Sequence, residues 1–303
     1  MPIVKTLSKA TKLEKEKFTI PKSVQDAIPI QRIWSDGIFQ IGSRFSKTFP
    51  FTDINYSIAG KEDKTAMFID YSELLNALDS GASAKITINN RKINKAEFEK
   101  SLLLPMKEDG LNHFRKEYNE MLLSKVTGTN NSVVQDRYIT ITVAKRNIDE
   151  ARTYFSRVGT DLITHLSQLS SIGRELDAGT RLQVFRDFFK GNEPAAFAFD
   201  LKEQMKKGHN FKDWLCPDSM EFQKDHFRLN DRWGRVLYLQ GYASYIKDSM
   251  IAELCDMDRS LMLSIDILPV PTDEAVREIQ NKLLGVETNA ANWQRKQNAA
   301  NNF

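Results

Sequence analysis

The stretch Tyr138-Ile139-Thr140-Ile141-Thr142-Val143 decides the fold, because its side chains alternate strictly between an apolar and a polar face. Such alternation predicts a β-strand that covers a core on one side only. A long helix is predicted next, since Asn147 is a good cap, Glu150 follows in the capping-box position and apolar residues recur at helical spacing through Leu169. Core packing accounts for both elements, and together they indicate an α+β fold.

Upstream of this pair, residues 29–100 form a predicted strand–strand–helix–strand unit. Aromatic-rich runs at Ile38–Ile41 and Phe45–Tyr56 predict its two strands, which are separated by turn residues. One face of the helix is marked by apolar residues three and four positions apart, namely Tyr71, Leu74, Leu75 and Leu78. The alternating run Ala84–Ile88, ended by two asparagines, predicts the third strand.

A second unit of the same kind is predicted at residues 216–285. Its strands are Phe222–Leu229 and Arg235–Tyr242, a helix carries Ile246, Met250 and Leu254 on one face, and Leu261–Ile267 alternates as a last strand. Residues 101–215 form a mainly helical middle with one strand. We therefore expect an α+β protein with two such units, in a mixed or antiparallel sheet, flanking a helical region; the pattern leaves open whether they share one sheet.

The last predicted helix begins at Thr272-Asp273-Glu274, just after Pro269 and Pro271 end the preceding strand. Its apolar residues are expected to face inward, and Gly285 is expected to end it. Residues 286–303 are rich in Asn, Ala and Gln. They are interpreted as a linker toward a further C-terminal domain that is missing here.

Positive charge is concentrated at the N-terminus, whereas the formal net charge of all 303 residues is only +3. Residues 1–22 contain six lysines against two glutamates, so residues 1–28 are interpreted as a basic arm. Such an arm can bind nucleic acid or an anionic membrane surface, or it can be a solvated tail.

The compartment is predicted to be the cytoplasm, because the sequence has no apolar run that could cross a bilayer and no signal peptide. The only cysteines are Cys216 and Cys255. Two reduced thiols are the preferred interpretation, and a disulfide is the alternative.

Catalytic and cofactor signatures are missing from the sequence. The string Ala59-Gly60-Lys61-Glu62 lacks the first glycine of a phosphate loop, and its glutamate would repel phosphate. The four histidines have no partner at metal-ligand spacing, and neither serine nor cysteine stands in a nucleophile motif. We therefore predict no catalytic, cofactor-binding or metal-binding residue in this part of the chain.

Large aromatic residues next to arginines mark the hairpins of both units and are candidates for contacting a partner protein, because these residue types dominate interface hot spots. The alternative is that the aromatic residues only cover the sheet. The candidates are Trp34, Phe39, Arg44, Phe45, Arg232 and Trp233.

Several runs resemble the N-terminal region of the conjugative-transfer ATPases of type IV secretion systems. Ile30–Phe39 (IQRIWSDGIF), Lys47–Tyr56 (KTFPFTDINY) and Tyr71–Arg91 are similar to versions carried by integrative conjugative elements of Gram-positive bacteria. Arg235–Tyr242, with Leu261–Pro271 (LMLSIDILPVP), resembles the wider TraC/TrbE/CagE pattern. The similarity covers most of the chain after the arm and includes no catalytic motif.

The resemblance implies a function that the residues alone do not indicate. In that family the N-terminal region lies at the cytoplasmic face of the cell membrane, contacts inner-membrane subunits and supports oligomer assembly. ATP and Mg²⁺ bind a separate motor domain, so the parent protein is expected to be an ATPase and this part is not. The alternative function is a stand-alone nucleic-acid-binding module that uses the basic arm.

Overall fold

The computed structural model describes residues 21–300 except 55, 57, 93–102, 129–132, 192–199, 242–248 and 258. The helices are α1 Val24–Ala27, α2 Lys61–Asn76, α3 Asn112–Gly128, α4 Ile148–Gln168, α5 Ala178–Lys190, α6 Leu201–Lys206, α7 Phe211–Leu215, α8 Ser249–Cys255 and α9 Thr272–Ala300. The strands are β1 Arg32–Ile33, β2 Phe39–Ile41, β3 Arg44–Pro50, β4 Ala82–Lys92, β5 Val133–Ala144, β6 Met220–Phe222, β7 Phe227–Leu229, β8 Arg232–Gly234 and β9 Leu261–Ile267. Helices and antiparallel strands confirm the α+β class.

Six strands form one antiparallel sheet in the order β1-β2-β3-β5-β4-β9. The strand predicted from residues 138–143 lies within β5, between β3 and β4. Ile139 is paired with Phe49 on one side and with Ile86 on the other, so three apolar side chains share a face. The apolar face predicted for β5 is the buried one.

Helix α4 covers this apolar face of the sheet. As predicted, Asn147 caps the helix, since its side chain accepts a hydrogen bond from the backbone N–H of Glu150. Phe155, Leu162 and their neighbours on the same stripe are buried in the core cluster. Gly159 allows close contact, because a Cβ at this position would lie 3.1 Å from Cε1 of Phe49.

Strand β9 answers the question of whether the two predicted units share a sheet. It pairs with β4, for example Ile86 with Ile265, so the last predicted strand belongs to the sheet of the first unit. The hairpin of the second unit forms a separate three-stranded sheet, β6-β7-β8. Among the described strands, β9 is therefore the one strand of the second predicted unit that joins the sheet of the first.

Two strand predictions in the second unit were wrong in their boundaries. Phe222–Leu229 is divided between β6 and β7, and Arg235–Tyr242 is not a strand from Arg235 to Gly241, while Tyr242 lies outside the described residues. Alternation and β-branching indicate that a segment can pair, but they do not supply the neighbouring strand.

The described chain divides into two compact units that do not follow the predicted domain limits. One combines the described residues up to Pro29 with Gln183–Gln240, and contains α6, α7 and the three-stranded sheet. The other combines Ile30–Leu182 with the described residues from Gly241 onward, and contains the six-stranded sheet, α2–α4, α8 and α9. Apart from its last residues, the predicted basic arm lies outside the described residues.

The C-terminal prediction was also wrong, because α9 continues through Gly285 to Ala300. One interior glycine costs a helix only ~1 kcal/mol relative to alanine, so it does not have to end one. Val276, Ile279 and Leu283 are exposed instead of facing inward. The segment interpreted as a linker is therefore helical as far as Ala300.

Candidate partner-binding surfaces

The turn at Trp34–Gly37 lies within the run that carries the family resemblance. The backbone N–H of Gly37 donates to the carbonyl of Trp34 at 2.9 Å, and that of Trp34 to the carbonyl of Ile38 at 3.0 Å. Gly37 has a φ of +78°, and a Cβ there would lie 1.9 Å from the carbonyl oxygen of Leu176. Only glycine fits this position without a shift of the backbone.

Three contacts from other elements hold this turn. The carbonyl of Ser35 accepts from the backbone N–H of Ala178 at 3.3 Å, and Arg152 of α4 donates to Asp36 at 2.7 Å. The carbonyl of Gly37 accepts from Arg181 of α5 at 2.9 Å. The turn is therefore held by contacts within the chain, of which those of Asp36 and Gly37 depend on the residue type.

Arg181 is a buried cation held by carbonyl and hydroxyl oxygens. Besides Gly37, its guanidinium donates to the backbone carbonyl of Ser46 at 2.6 Å and to the Ser46 hydroxyl at 2.8 Å, and it lies 4.1 Å from the ring centre of Phe39. Burial lowers the pKa of Arg181 to about 9, which still leaves it charged at neutral pH. The guanidinium group of Arg181 therefore connects the turn to β3 through hydrogen bonds.

Two of the four candidates in this unit cannot contact a partner. Phe39 is 1% exposed and Phe45 is 3% exposed, so both belong to the core and the prediction for them was wrong. Trp34 is half-buried and packs on Phe45 with ring centres 5.8 Å apart. Only Arg44, at the tip of the β2–β3 hairpin, is exposed. Residue type alone did not distinguish core residues from surface residues.

The other two candidates lie in the three-stranded sheet and have different roles. Arg232 donates to the carbonyl of Phe188 at 3.0 Å and packs against Gly191, where a Cβ would lie 2.7 Å from its Nη1. It therefore fixes β8 to the end of α5. Trp233, in contrast, is 67% exposed, as expected of a residue that contacts a partner.

Trp233 stands in a polar and aromatic group on one face of the small sheet. Arg228 is paired with it across β7 and β8, lies 5.7 Å from its ring centre and forms a 2.6 Å ion pair with Glu221. The ring of His226 lies 5.0 Å away and bonds to Asp225 at 2.8 Å. The hydrogen bond from His226 and the charge of Arg235 hold the pKa of Asp225 below its ordinary value.

Beyond β8 the chain presents four consecutive apolar side chains to solvent: Val236, Leu237, Tyr238 and Leu239. We call these residues the 236–239 segment. Leu237 is 84% exposed, and within the described residues no strand pairs with this segment or with the outer edge of β8. Exposed apolar runs of this kind mark interaction sites. The sequence did not reveal this exposure, because an unbroken apolar run is typical of a strand that is buried on both faces.

Helix α3 also exposes apolar side chains, namely Phe114, Tyr118 and Met121, and Leu111 just before the helix is exposed as well. The buried Asn119 lies on a different side of the helix and clamps Leu104, accepting from its N–H at 2.9 Å and donating to its carbonyl at 3.0 Å. The helix is therefore fixed by a polar contact while these apolar side chains face solvent.

The described residues contain no group of three or more His, Cys, Asp or Glu side chains placed to hold a metal ion. The rejected phosphate-loop string lies at the start of α2, where Glu62 and Asp63 occupy the first turn and oppose an anion. Cys216 and Cys255 are buried free thiols, so the disulfide alternative was wrong, and burial raises the pKa of both.

No helix in the described ranges is both long and apolar enough to cross a membrane. Comparison with known proteins adds no family: no protein-family model matches the sequence, and no curated protein matches it.

Proposed function

We propose that this chain is the docking and assembly domain of a conjugative-transfer ATPase of the type IV secretion kind, without ATP hydrolysis of its own. Its partners would be inner-membrane subunits, met at the cytoplasmic face of the cell membrane. ATP and Mg²⁺ would bind the motor domain of the parent protein. The family part of this proposal rests on the sequence resemblance alone.

The observation that carries the docking role is the 236–239 segment beside the exposed Trp233. The segment follows β8, an edge strand, after Arg235, and it includes Val236 and Tyr238, which have high β-propensity. A partner strand added to this edge would gain backbone hydrogen bonds and would cover the apolar side chains at the same time. Trp233, framed by Arg228 and His226, has the composition of an interface hot spot.

The test is co-purification from detergent after co-expression with each inner-membrane protein encoded alongside this chain. We expect the double variant Leu237→Asp/Tyr238→Asp to reduce recovery of the cognate subunit at least ~10-fold, because carboxylates cannot be buried in an apolar interface. Both side chains are exposed, so the fold should be unchanged, which thermal melting would verify.

Ile172→Asp is the matched control, since Ile172 is an exposed apolar residue of the other compact unit. We expect it to bind like the wild type. If no membrane subunit is recovered with the wild-type chain, or if the double variant binds as well as the control, the proposed docking role is wrong.

The nucleic-acid alternative has a separate test, because it depends on residues 1–22. If the arm binds DNA, mobility-shift affinity should fall ~10-fold or more from low to physiological salt and should disappear when the arm is removed. We expect instead that removing residues 1–22 leaves recovery of the membrane subunit unchanged. A loss of that recovery would show that the arm belongs to the docking surface.

A further inference from the structure

Helix α9 exposes an apolar stripe along most of its length. From Asp273 to Trp293, every side chain that the structure describes is exposed except that of Ala275, which is half-buried. The stripe consists of residues separated alternately by three and four positions, namely Val276, Ile279, Leu283, Val286, Ala290 and Trp293. It extends over ~27 Å at the rise of an α-helix.

This spacing is the heptad repeat of a coiled coil, with Val276, Leu283 and Ala290 at a positions and Ile279, Val286 and Trp293 at d positions. A helix that packs on a sheet has a wider apolar face, usually with a third apolar position in each heptad. Here the e and g positions that flank the stripe are polar or small, as in Gln280, Lys282 and Glu287, and the exposed Leu284 lies outside them at a b position. The narrow stripe therefore fits another helix better than it fits a sheet.

The helix also needs a partner to be stable. Gly285 and several β-branched and Asn residues give α9 a low helix propensity, and most helices in proteins are stabilised by tertiary packing of their apolar face. The described part of the chain leaves that face uncovered.

Charge complementarity identifies the partner. In a parallel, in-register pair of heptad helices, each g position faces the e position five residues later on the other helix. Lys282 occupies g and Glu287 occupies the following e, so two identical helices form two opposite-charge pairs. The exposed Lys282–Glu278 contact within the helix, at 3.1 Å, is too weak to prevent this exchange.

We propose that α9 forms a parallel two-stranded coiled coil with α9 of a second copy of this chain. The proposal deepens the assembly part of the proposed function by naming the self-association surface. An antiparallel pair centred on the stripe would place Lys282 and Glu287 opposite uncharged amides, so the charge pairs favour the parallel orientation. In the parallel pair, the narrow Ala290 layer leaves space for the two Trp293 rings of the next layer.

The first test is the oligomeric state of the full chain by sedimentation velocity over a concentration series. We expect the wild-type chain to be a reversible dimer. Its apparent dissociation constant should rise at least ~100-fold in Leu283→Asp, because this substitution places two carboxylates opposite each other in an apolar layer. Asn281→Asp adds the same charge on the outer surface and should leave the dimer unchanged. A wild-type chain that is monomeric at all concentrations, or equal effects of the two variants, would overturn the proposal.

Orientation has its own tests. We expect Lys282→Glu and Glu287→Lys to weaken the dimer several-fold each and the double exchange to recover most of the loss, with helix content checked by circular dichroism. Val286→Cys should form an intermolecular disulfide on mild oxidation, because the two copies of this d position are adjacent only in the parallel register. The wild type should form no such disulfide, since its own cysteines are buried. No recovery in the double exchange and no cross-link would contradict the parallel pair.

These outcomes are distinct from those for docking. Leu283→Asp is expected to remove self-association while Trp233 and the 236–239 segment are unchanged. Leu237→Asp/Tyr238→Asp is expected to reduce recovery of the membrane subunit while the stripe of α9 is unchanged. Failure of either proposal is therefore visible while the other stands.

Discussion

Replacing Gly37 with alanine is expected to lower the free energy of unfolding by ~3 kcal/mol or more, measured by urea denaturation of the full chain. The left-handed φ of +78° strains any residue with a Cβ. In addition, that Cβ would lie 1.9 Å from the carbonyl oxygen of Leu176, a backbone atom that cannot rotate away. Relief requires the turn at Trp34–Gly37 to separate from the segment before α5.

Gly42→Ala is the matched control for this substitution. Gly42 also has a left-handed backbone, with a φ of +57°, but an added Cβ would meet no atom within 4 Å. We therefore expect only the conformational cost there, ~1 kcal/mol. If the two variants lose the same stability, close packing at Gly37 is not what the turn depends on.

Arg181→Ala is the second substitution with a large expected effect, a loss of ~3 kcal/mol in the free energy of unfolding. It leaves the carbonyl of Gly37 and the hydroxyl of Ser46 without a donor and opens a cavity beside Phe39. Since the pKa of about 9 is well above neutral, the residue is charged in both states near pH 7. The loss should therefore not vary between pH 6 and pH 8.

Arg152→Ala is the comparison for Arg181, because Arg152 holds the same turn through Asp36 but is half-exposed to solvent. Solvent screens such a pair, so we expect a much smaller change in unfolding free energy. Arg181→Lys should be intermediate, since an ammonium keeps the charge but lacks the fork that spans Gly37 and Ser46. An Arg152 variant as unstable as Arg181→Ala would contradict this division of roles.

The parts of the fold that could be predicted are those fixed by local periodicity. Residues 138–143 and the helix capped by Asn147 are where the alternation and the capping box placed them, because burial on one face leaves a direct trace in the sequence. The pairing of β9 with β4 left no such trace. It depends on which strand edge is free after the rest of the sheet has formed.

The candidate site was harder to predict because exposure is a tertiary property. Phe45 and Trp233 are both aromatic residues of a hairpin, yet one is in the core and the other is in solvent. The family resemblance did not separate them either. Its most distinctive string, Trp34–Gly37, forms a turn held by hydrogen bonds to other elements, whereas Trp293 on α9 belongs to no quoted run.

The pairing of β4 with β9 has a consequence for synthesis. Ala84 is paired with Ile267, so more than half of the chain must be synthesised after β4 before β9 can pair with it. At ordinary translation rates this takes on the order of ten seconds or more. During that interval the edge of β4 from Ala84 to Asn90 has unpaired backbone groups, a template on which another nascent strand can add. Protection of this edge during synthesis is therefore expected to affect the yield of correctly folded protein separately from its final stability.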